Sequence, residues 1–377
     1  MSAKACPIRL LTAVPICDGH DSAINTINLE LIRHGIEVIY LGYHRSAQDI
    51  VRAAIQEDVR AVGISSYNGG HVEFFAEVVA LLRKRGAGDI GVFGGGGGTI
   101  TPADAKVMRR KGVDRIFFAG TPLDEMVEFV RTTCGRRAKR SSESATDSDR
   151  RLGKLLSAIE SGQQSPRRRA ARPSVRARTI GITGPGGAGK TTLIDELVLR
   201  ILRSNPSARI AILSHDPSIV GTGALLGDRA TMIYSQDDRV FMRSFATRGQ
   251  SGGLSRTTRR CLEALRGAFD FVFVETVGIG QEAAPFADGE VDRSVFVMSP
   301  EYGSRLQLQK IVMLDVADVV VVNKSDLSGA KTALAEVQQR LAGTEGRQAI
   351  VGTIASHHGD AGVDEVLRFV TVDGRAS

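Results

Sequence analysis

The sequence GPGGAGKT occupies positions 184–191, after an apolar run at 179–182 and before a helical pattern at 193–202. It matches the spacing G-x-x-x-x-G-K-[ST], in which backbone N–H groups surround phosphate oxygens and the following helix directs its positive end at the same charge. We therefore predict a nucleoside triphosphate site, with Lys190 at the β- and γ-phosphates and Thr191 at Mg²⁺. The residues predicted to bind nucleotide here are Gly184, Gly186, Gly187, Ala188, Gly189, Lys190, Thr191 and Thr192.

A second motif, NKSD, follows the valine run at 319–322 and places Asn323, Lys324 and Asp326 in the spacing N-K-x-D. The carboxylate of Asp326 can accept hydrogen bonds from N1–H and the 2-amino group of guanine. Adenine offers neither donor, so a buried acceptor would be left unpaired beside it. The motif predicts GTP as the nucleotide, and a turn with a solvated aspartate is the alternative.

Acidic residues at strand ends are candidates for holding Mg²⁺. Glu275 and Gly278 follow the predicted strand 271–274, where phosphate-loop enzymes keep a metal carboxylate and a glycine that senses the γ-phosphate. Asp216 and Asp228 are further candidates, although such residues are often helix caps or turn residues. The predicted catalytic residues are Lys190, Asp216 and Glu275. Two arginines could approach the phosphates or lie on the surface: Arg248 and Arg256.

Short apolar runs alternate with helical patterns, which predicts an α/β fold with two doubly wound domains. The predicted strands of the first domain are 8–14, 37–41, 61–64, 90–93 and 115–118, and its helices are 23–33, 47–57, 72–83 and 103–111. Strands of the second domain are predicted at 179–182, 210–213, 271–274, 294–297 and 319–322. Ligands of such sheets gather at the carboxyl ends of the strands. The candidate residues at those ends of the first sheet are Asp18, Gly19, His20, Ser65, Tyr67, Gly94, Gly95 and Gly96.

Basic charge is concentrated between the two halves. The formal net charge is +7, and residues 131–178 hold 14 Lys/Arg against 4 Asp/Glu without one aromatic residue. A nucleic-acid-binding face would need readout elements on a folded surface, so we interpret this stretch as a solvated linker and expect no nucleic acid. Anionic partners remain an alternative. The predicted domains are 1–130, a linker at 131–178 and 179–377, with a helix at 151–160 that belongs to the second domain.

The cysteines and the apolar runs favour the cytoplasm. None of the four cysteines stands in a C-x-x-C spacing, which is typical of a reducing compartment. No run reaches the ~18 apolar residues of a membrane span, so we expect no membrane partner. The apolar stretch at 8–16 is interrupted by Pro15, which favours a core strand over a secretion signal.

Several motifs of the second half resemble those of the GTPases that chaperone cobalamin-dependent acyl-CoA mutases. They are DPS at 216–218, GALLGD at 223–228, RG at 248–249, SGGLS at 251–255 and ETVGIGQ at 275–281. The resemblance covers about residues 151–370 and implies a GTPase whose nucleotide state gates adenosylcobalamin loading and ejection of damaged cofactor. It implies that phosphates and Mg²⁺ are held by Lys190, Thr191, Asp216, Asp228 and Glu275, and the base by Asn323, Lys324 and Asp326. Ser356 lies where the last base contact is expected, although His357 and His358 depart from the family pattern.

The N-terminal candidates resemble the D-x-H-x-x-G, S-x-L and G-G signature of cobalamin-binding domains, which have a flavodoxin-like fold. The resemblance implies that His20 takes the lower axial position of cobalt and that Asp18 orients its ring. The glycines at 94–96 would leave a slot for the displaced nucleotide tail, because a Cβ would fill it. Ala23 and Tyr67 replace Gly and Leu of the signature and could narrow that slot.

The order of the two domains resembles that of fused isobutyryl-CoA mutases, which also carry a substrate barrel of about 250 residues. We expect no such barrel here, and therefore either a small subunit of an acyl-CoA mutase or a truncated product. The implied cofactors are adenosylcobalamin and Mg²⁺, with GTP as substrate. The implied partners are a substrate-binding mutase subunit, an adenosyltransferase and a second copy of the chain. The alternatives are a non-catalytic cobalamin carrier or sensor, and a metal-insertion GTPase, which usually has His-rich or Cys-rich tracts.

Overall fold

The structure is a computed structural model that describes residues 7–16, 22–67, 69–137, 147–162, 177–218, 222–278, 284–286, 289–302, 308–342 and 348–372. Three predicted cobalamin residues, Asp18, Gly19 and His20, lie outside the described residues. The chain forms two compact units. The first comprises Met1–Arg168, Asp216–Thr231 and Met242–Arg248, and the second comprises Arg169–His215, Met232–Phe241 and Gly249–Ser377.

The strands alternate with helices along most of the chain. The strands are β1 (Arg9–Ala13), β2 (Glu37–Tyr40), β3 (Ala61–Ser65), β4 (Gly91–Gly95), β5 (Arg115–Phe117), β6 (Arg178–Thr183), β7 (Ile210–Asp216), β8 (Ala224–Leu226), β9 (Val240–Ala246), β10 (Phe271–Glu275), β11 (Arg293–Met298), β12 (Val319–Asn323) and β13 (Ala349–Thr353). The helices are α1 (Ser22–Arg33), α2 (Ala47–Gln56), α3 (His71–Lys84), α4 (Pro102–Lys111), α5 (Leu123–Arg137), α6 (Ser148–Glu160), α7 (Lys190–Ser204), α8 (Thr258–Leu265), α9 (Met313–Val316), α10 (Ala330–Leu341) and α11 (Ala361–Thr371).

The sheet of the first unit is covered by helices on both faces. Its order is β5-β4-β3-β1-β2-β8, and each neighbouring pair is parallel. Successive side chains of a strand point to opposite faces. Leu11 and Ala13 of β1 therefore pack with α2, α3 and α4, whereas Leu10 packs with α1 and α5. This two-sided burial explains why the strands are apolar throughout.

The second sheet has the order β13-β12-β11-β6-β10-β7-β9. Its central strand β6 pairs in parallel with β10 and β11 and ends where the glycine-rich loop begins. Val320 and Val322 of β12 pack with Val337 and Leu341 of α10 in one apolar core. The predicted class, α/β with two doubly wound domains, is confirmed.

Three details differ from the prediction. Strands β8, β9 and β13 were not predicted. Helix α5 continues to Arg137, past the predicted linker start at residue 131, because Val127, Val130 and Cys134 extend its buried face. Helix α6 begins at Ser148 because Asp147 caps it by accepting the N–H groups of Asp149 and Arg150.

Glu57 is a fully buried carboxylate that follows α2 in the first unit. It accepts hydrogen bonds from Arg9 Nη2 at 2.7 Å, from Arg229 Nη1 at 3.1 Å and from the N–H of Ser244 at 3.1 Å. Arg229 and Ser244 come from the two later segments of this unit, residues 216–231 and 242–248. Glu57 thus attaches both segments to the first sheet.

Two further buried carboxylates, Glu37 and Glu160, extend this cluster. Glu37 accepts from Arg9 at 3.1 Å and from Arg248 Nε at 2.9 Å, and Glu160 accepts from Arg243 at 2.6 Å. Burial alone would raise the pKa of Glu160, but Arg243 and the other arginines hold that pKa below its usual value. The carboxylate is therefore ionised at neutral pH. We call this cluster the arginine–glutamate network: Arg9, Glu37, Glu57, Glu160, Arg229, Arg243 and Arg248.

The substitution Glu57→Gln is expected to lower the free energy of unfolding by about 3 kcal/mol, because it leaves buried guanidinium groups without their counter-charge. Calorimetry of the full chain would measure the change. The control Asp89→Asn removes a partly exposed partner of Arg150 in the same unit and should cost less than about 1 kcal/mol. Identical melting of Glu57→Gln and the wild type would show that the network does not stabilise the unit.

Candidate functional site

The phosphate loop turns sharply between β6 and α7. Gly184, Gly187 and Gly189 have φ values of 143°, 74° and 90°, a region that glycine adopts without steric cost. A Cβ on Gly184 would lie 1.9 Å from the carbonyl oxygen of Val297, and a Cβ on Gly189 would lie 2.2 Å from Asn323 Nδ2. The loop can therefore reach this shape only with glycine at these positions.

Three predicted residues meet at the start of α7. Lys190 is buried, and its Nζ donates to the carbonyl oxygen of Pro185 at 3.1 Å, so the ammonium lies over its own loop. Thr191 Oγ1 donates to Glu275 Oε1 at 2.7 Å. Strand register accounts for this contact, since Glu275 of β10 pairs with Ile182 of β6 directly before the loop. The structure thus brings together two of the predicted metal ligands.

The end of β10 packs on the phosphate loop. A Cβ on Gly278 would lie 2.7 Å from Gly186 Cα, so this predicted γ-phosphate glycine is in contact with the loop. The N–H of Val277 donates to the carbonyl oxygen of Gly253 at 3.1 Å. His215 Nδ1 lies 2.8 Å from the carbonyl oxygen of Glu275. His215 was not predicted, because nothing in its local sequence shows that the next strand lies beside it.

Asn323 links the base-recognition motif to the rest of the site. Its Nδ2 donates to the carbonyl oxygen of Ala188 at 2.9 Å, and its Oδ1 accepts from Thr353 Oγ1 and from the N–H of Ala355, each at 3.0 Å. The side chain is buried. One amide therefore holds the phosphate loop against the segment that leads to Ser356. The predicted base contacts Asp326 and Ser356 are exposed, and Lys324 is half-buried with a left-handed φ of 59°.

The other two predicted metal ligands belong to the first unit. Asp216 ends β7, and its carbonyl oxygen accepts the N–H of Thr247 at 3.1 Å. Asp228 begins a single 3₁₀ turn, Asp228–Ala230, directly before Arg229 of the arginine–glutamate network. Arg248 belongs to the same network, where its guanidinium donates to Glu37 and Glu160, so it is not an isolated surface charge. Arg256 is exposed.

The first unit contains a cavity of about 190 Å³ at the carboxyl ends of β1, β3, β4 and β5. Its lining includes four predicted residues, Ser65, Gly94, Gly95 and Gly96, together with Ala23. The remaining lining is mostly apolar, and an apolar cavity of ~150 Å³ already accepts benzene. The cavity is therefore large enough for a small aromatic ring. Tyr67 does not line it: the ring is 44% exposed and stands against Gly97.

Glycine is needed at positions 94 and 96 for a reason other than the predicted open slot. A Cβ on Gly94 would lie 2.1 Å from the carbonyl oxygen of Ile64, and a Cβ on Gly96 would lie 1.8 Å from that of Ser66. Ile64 belongs to the neighbouring strand β3, and Ser66 is the residue directly after that strand. Glycine is required here because the two backbones approach so closely, and only indirectly because the cavity must stay open.

Two family descriptions match the chain. "Methylmalonyl Co-A mutase-associated GTPase MeaB" matches residues 156–373, and "B12 binding domain" matches residues 8–127. The chain belongs to the MeaB GTPase family. Its N-terminal part is a B12-binding domain, as the sequence motifs predicted. Cobalamin and GTP are therefore its ligands, and Mg²⁺ is the metal typical of such GTPases.

Similar proteins match different shares of this chain. The fused isobutyryl-CoA mutase of Cupriavidus metallidurans is 40% identical over 380 residues, which are 94% of this chain and 35% of that protein. The small subunit of 2-hydroxyisobutanoyl-CoA mutase from Aquincola tertiaricarbonis is 36% identical over 134 residues, 36% of this chain and 97% of that subunit. The chain spans about a third of the fused mutases that it matches. A solved LAO/AO transport system kinase is 20% identical, with a TM-score of 0.38, over 66% of this chain and 74% of that one.

In the part of the chain that the structure describes, no helix combines the length and the apolarity needed to span a bilayer.

Burial raises the pKa of Asp195 in α7 to about 6, although the N–H groups of Tyr234 and Ile233 donate to its carboxylate. A raised pKa in the folded state means that the contribution of Asp195 to stability is complete below pH ~4 and is lost as the pH rises through 6. We expect the wild type to lose up to about 3 kcal/mol from this group over that window.

Unfolding measurements between pH 4 and 7 would test this expectation. The variant Asp195→Asn should lack that part of the pH dependence, whereas the control Asp364→Asn, an exposed carboxylate on α11, should keep it. Parallel pH profiles for Asp195→Asn and the wild type would contradict it.

Proposed function

We propose that this chain hydrolyses GTP to gate the loading and repair of adenosylcobalamin for an acyl-CoA mutase of the isobutyryl-CoA or methylmalonyl-CoA type. The observation that carries the proposal is the presence, in one chain, of a phosphate loop with Thr191 on Glu275 and a glycine-lined cavity in a B12-binding domain. Neither feature alone would link the two ligands.

In the proposed hydrolysis the chain supplies position and charge, which dominate phosphoryl transfer. The N–H groups of the phosphate loop and Lys190 hold the phosphates, and Lys190 exchanges its contact with Pro185 for them. Thr191 and Glu275 would hold Mg²⁺, and Asp216 and Asp228 are the further proposed ligands. The ion would supply positive charge that neutralises the charge developing on the phosphates. Gly278 senses the γ-phosphate from its place against Gly186.

Recognition of guanine rests on Asp326, with Asn323 and Lys324 shaping the loop and Ser356 closing it. The hydrogen bonds of Asn323 to Ala188 and Ala355 support this role, because they fix the base-recognition loop relative to the phosphate loop. A displacement of the base-recognition loop would therefore also displace the phosphate loop, because Asn323 is hydrogen-bonded to Ala188.

In the proposed cobalamin site His20 would hold cobalt through an imidazole nitrogen, and Asp18 would accept the other N–H of the ring and so fix its tautomer. Ser65 ends β3 and Tyr67 follows it, and Gly19 is a further proposed cobalamin residue. The cavity behind Gly94, Gly95 and Gly96 takes the nucleotide tail. Its apolar lining and its volume support this placement.

The proposed coupling between the ligands is supported by the arginine–glutamate network. Arg229 follows the proposed metal ligand Asp228 and binds Glu57 at the end of α2, in the unit that holds the cofactor cavity. A shift of residues 216–231 with the nucleotide would therefore act on a buried ion pair of that unit. Coupling of this kind is reciprocal, so cobalamin would also change nucleotide affinity.

The names of the relatives support a mutase as the partner, since one of them is a mutase small subunit and another is a fused mutase. We propose that a substrate-binding mutase chain docks on the cobalamin face, and that an adenosyltransferase delivers the cofactor. A second copy of the chain is a further proposed partner. A non-catalytic carrier is the remaining alternative, and the contact between Thr191 and Glu275 argues against it, because a decayed site has no need to keep it.

Nucleotide assays test the first half of the proposal. Lys190→Ala should reduce Mg²⁺-dependent GTP hydrolysis about 100-fold or more, since it removes a preorganised charge, and the exposed Lys331→Ala serves as control. Asp326→Asn should weaken GTP and favour xanthosine triphosphate, because an amide can donate to the 2-oxo group. Unchanged hydrolysis in Lys190→Ala would refute the assignment.

Absorbance spectra test the second half. The full chain mixed with adenosylcobalamin should show the base-off, histidine-ligated spectrum. His20→Ala should lose it, and His34→Ala, in the turn after α1, should keep it. Cofactor affinity should also differ between GDP and a non-hydrolysable GTP analogue. Equal affinity with both nucleotides would remove the gating part of the proposal.

A further inference from the structure

Two strands of the second sheet stop pairing directly before the proposed Mg²⁺ ligand Glu275. The register of β7 and β10 ends with Leu213 opposite Val274. Beyond that point a side chain contacts the backbone of β10, because Nδ1 of His215 lies 2.8 Å from the carbonyl oxygen of Glu275. A carbonyl oxygen can only accept, so Nδ1 donates this hydrogen bond. The main chain of Glu275 is therefore held by an imidazole ring.

The second ring nitrogen of His215 is also engaged. Nε2 lies 2.8 Å from Oγ1 of Thr258, and that oxygen lies 2.9 Å from the carbonyl oxygen of Ser255. The side chains of His215 and Thr258 are both buried. Contacts at both nitrogens fix the orientation of the ring, so the position of Nδ1 beside Glu275 is well determined.

The segment 252–258, which contains Thr258, contacts the end of β10 at a second point. The carbonyl oxygen of Gly253 accepts the N–H of Val277 at 3.1 Å. Gly253 has a φ of 76°, a conformation that favours glycine. The segment therefore holds β10 directly at residue 277, and it holds residue 275 through His215.

These two attachments concern residues with different proposed roles. Glu275 accepts a hydrogen bond from Thr191 and is a proposed Mg²⁺ ligand, whereas Gly278 lies against Gly186 of the phosphate loop, where it would sense the γ-phosphate. Only two residues separate Glu275 from Gly278. A shift of Gly278 with the nucleotide would therefore also displace the carboxylate, unless the main chain is held at residue 275.

We propose that His215 is a positioning residue that holds the main chain of Glu275, so that the carboxylate stays at the metal while residues 277–278 respond to the nucleotide. This inference rests on the proposed GTPase function. Partners behind a metal ligand fix the orientation of that ligand, and their loss typically weakens metal affinity about 10- to 100-fold.

Three substitutions of His215 separate its two contacts. The amide nitrogen of asparagine can occupy a position close to that of Nδ1, and the amide nitrogen of glutamine a position close to that of Nε2. His215→Asn can therefore still donate to the carbonyl oxygen of Glu275, whereas His215→Gln keeps only the contact with Thr258. His215→Ala removes both contacts.

The measurement is the Mg²⁺ concentration that gives half-maximal binding of a fluorescent, non-hydrolysable GTP analogue to the full chain. We expect this concentration to rise about ten-fold or more in His215→Ala and His215→Gln, and to stay close to the wild-type value in His215→Asn. GTP turnover by His215→Ala should fall at low Mg²⁺ and recover at saturating Mg²⁺.

A buried hydrogen bond at the other end of β6 provides the structural control. Thr179 is fully buried near the start of that strand, and its Oγ1 donates to Asp292 at 2.6 Å. Thr179→Val should lower the melting temperature, as His215→Ala should, because each leaves a buried polar group without its partner. The Mg²⁺ requirement should stay unchanged in Thr179→Val.

An unchanged Mg²⁺ requirement in His215→Ala would overturn the role of His215. Equal losses in His215→Asn and His215→Gln would also overturn it, since they would assign the effect to packing, and this comparison holds even if His215→Ala does not fold. A wild type that binds the analogue equally with and without Mg²⁺ would overturn the proposed metal site as well. Mg²⁺-dependent binding without GTP hydrolysis would overturn the proposed function alone and leave the role of His215 in metal binding intact.

Discussion

The three segments of the first unit are joined by the arginine–glutamate network, at the centre of which lies the carboxylate of Glu57. An ionised group removed from water is tolerated only when its charge and lone pairs are matched. Arg9, Arg229 and the N–H of Ser244 provide that match. Arg9 also donates to the carbonyl oxygen of Ser244, 235 positions away in the chain. Three separate segments are therefore fixed together by one residue, and none of them can move without leaving a buried charge unpaired.

This arrangement changes how the proposed coupling should be understood. Residues 216–231 carry two proposed metal ligands of the nucleotide, yet they form part of the compact unit that contains the cobalamin cavity. Arg248 of the same network has a left-handed φ of 50°, and its guanidinium donates to the carboxylates of Glu37 and Glu160. Such strain persists only where surrounding contacts enforce it.

The sequence was sufficient to predict features that depend on the spacing of residues within a short motif. The alternation of apolar runs predicted the α/β class of both units. Motif position named Thr191 and Glu275 as Mg²⁺ ligands, and the structure places these two side chains in hydrogen-bond contact. It was insufficient where partners are distant. Arg248 could be interpreted as a phosphate ligand or a surface charge, because its partner Glu37 lies 211 positions away. Strand β8 was missed because its three residues form a strand only by pairing with β2.

The glycines beside the cavity show a second limit of prediction from sequence, because their predicted role differs from the one in the structure. Glycines in a row suggested an open slot, but their collisions are with the backbone of Ile64 and Ser66, so close strand packing is the direct constraint.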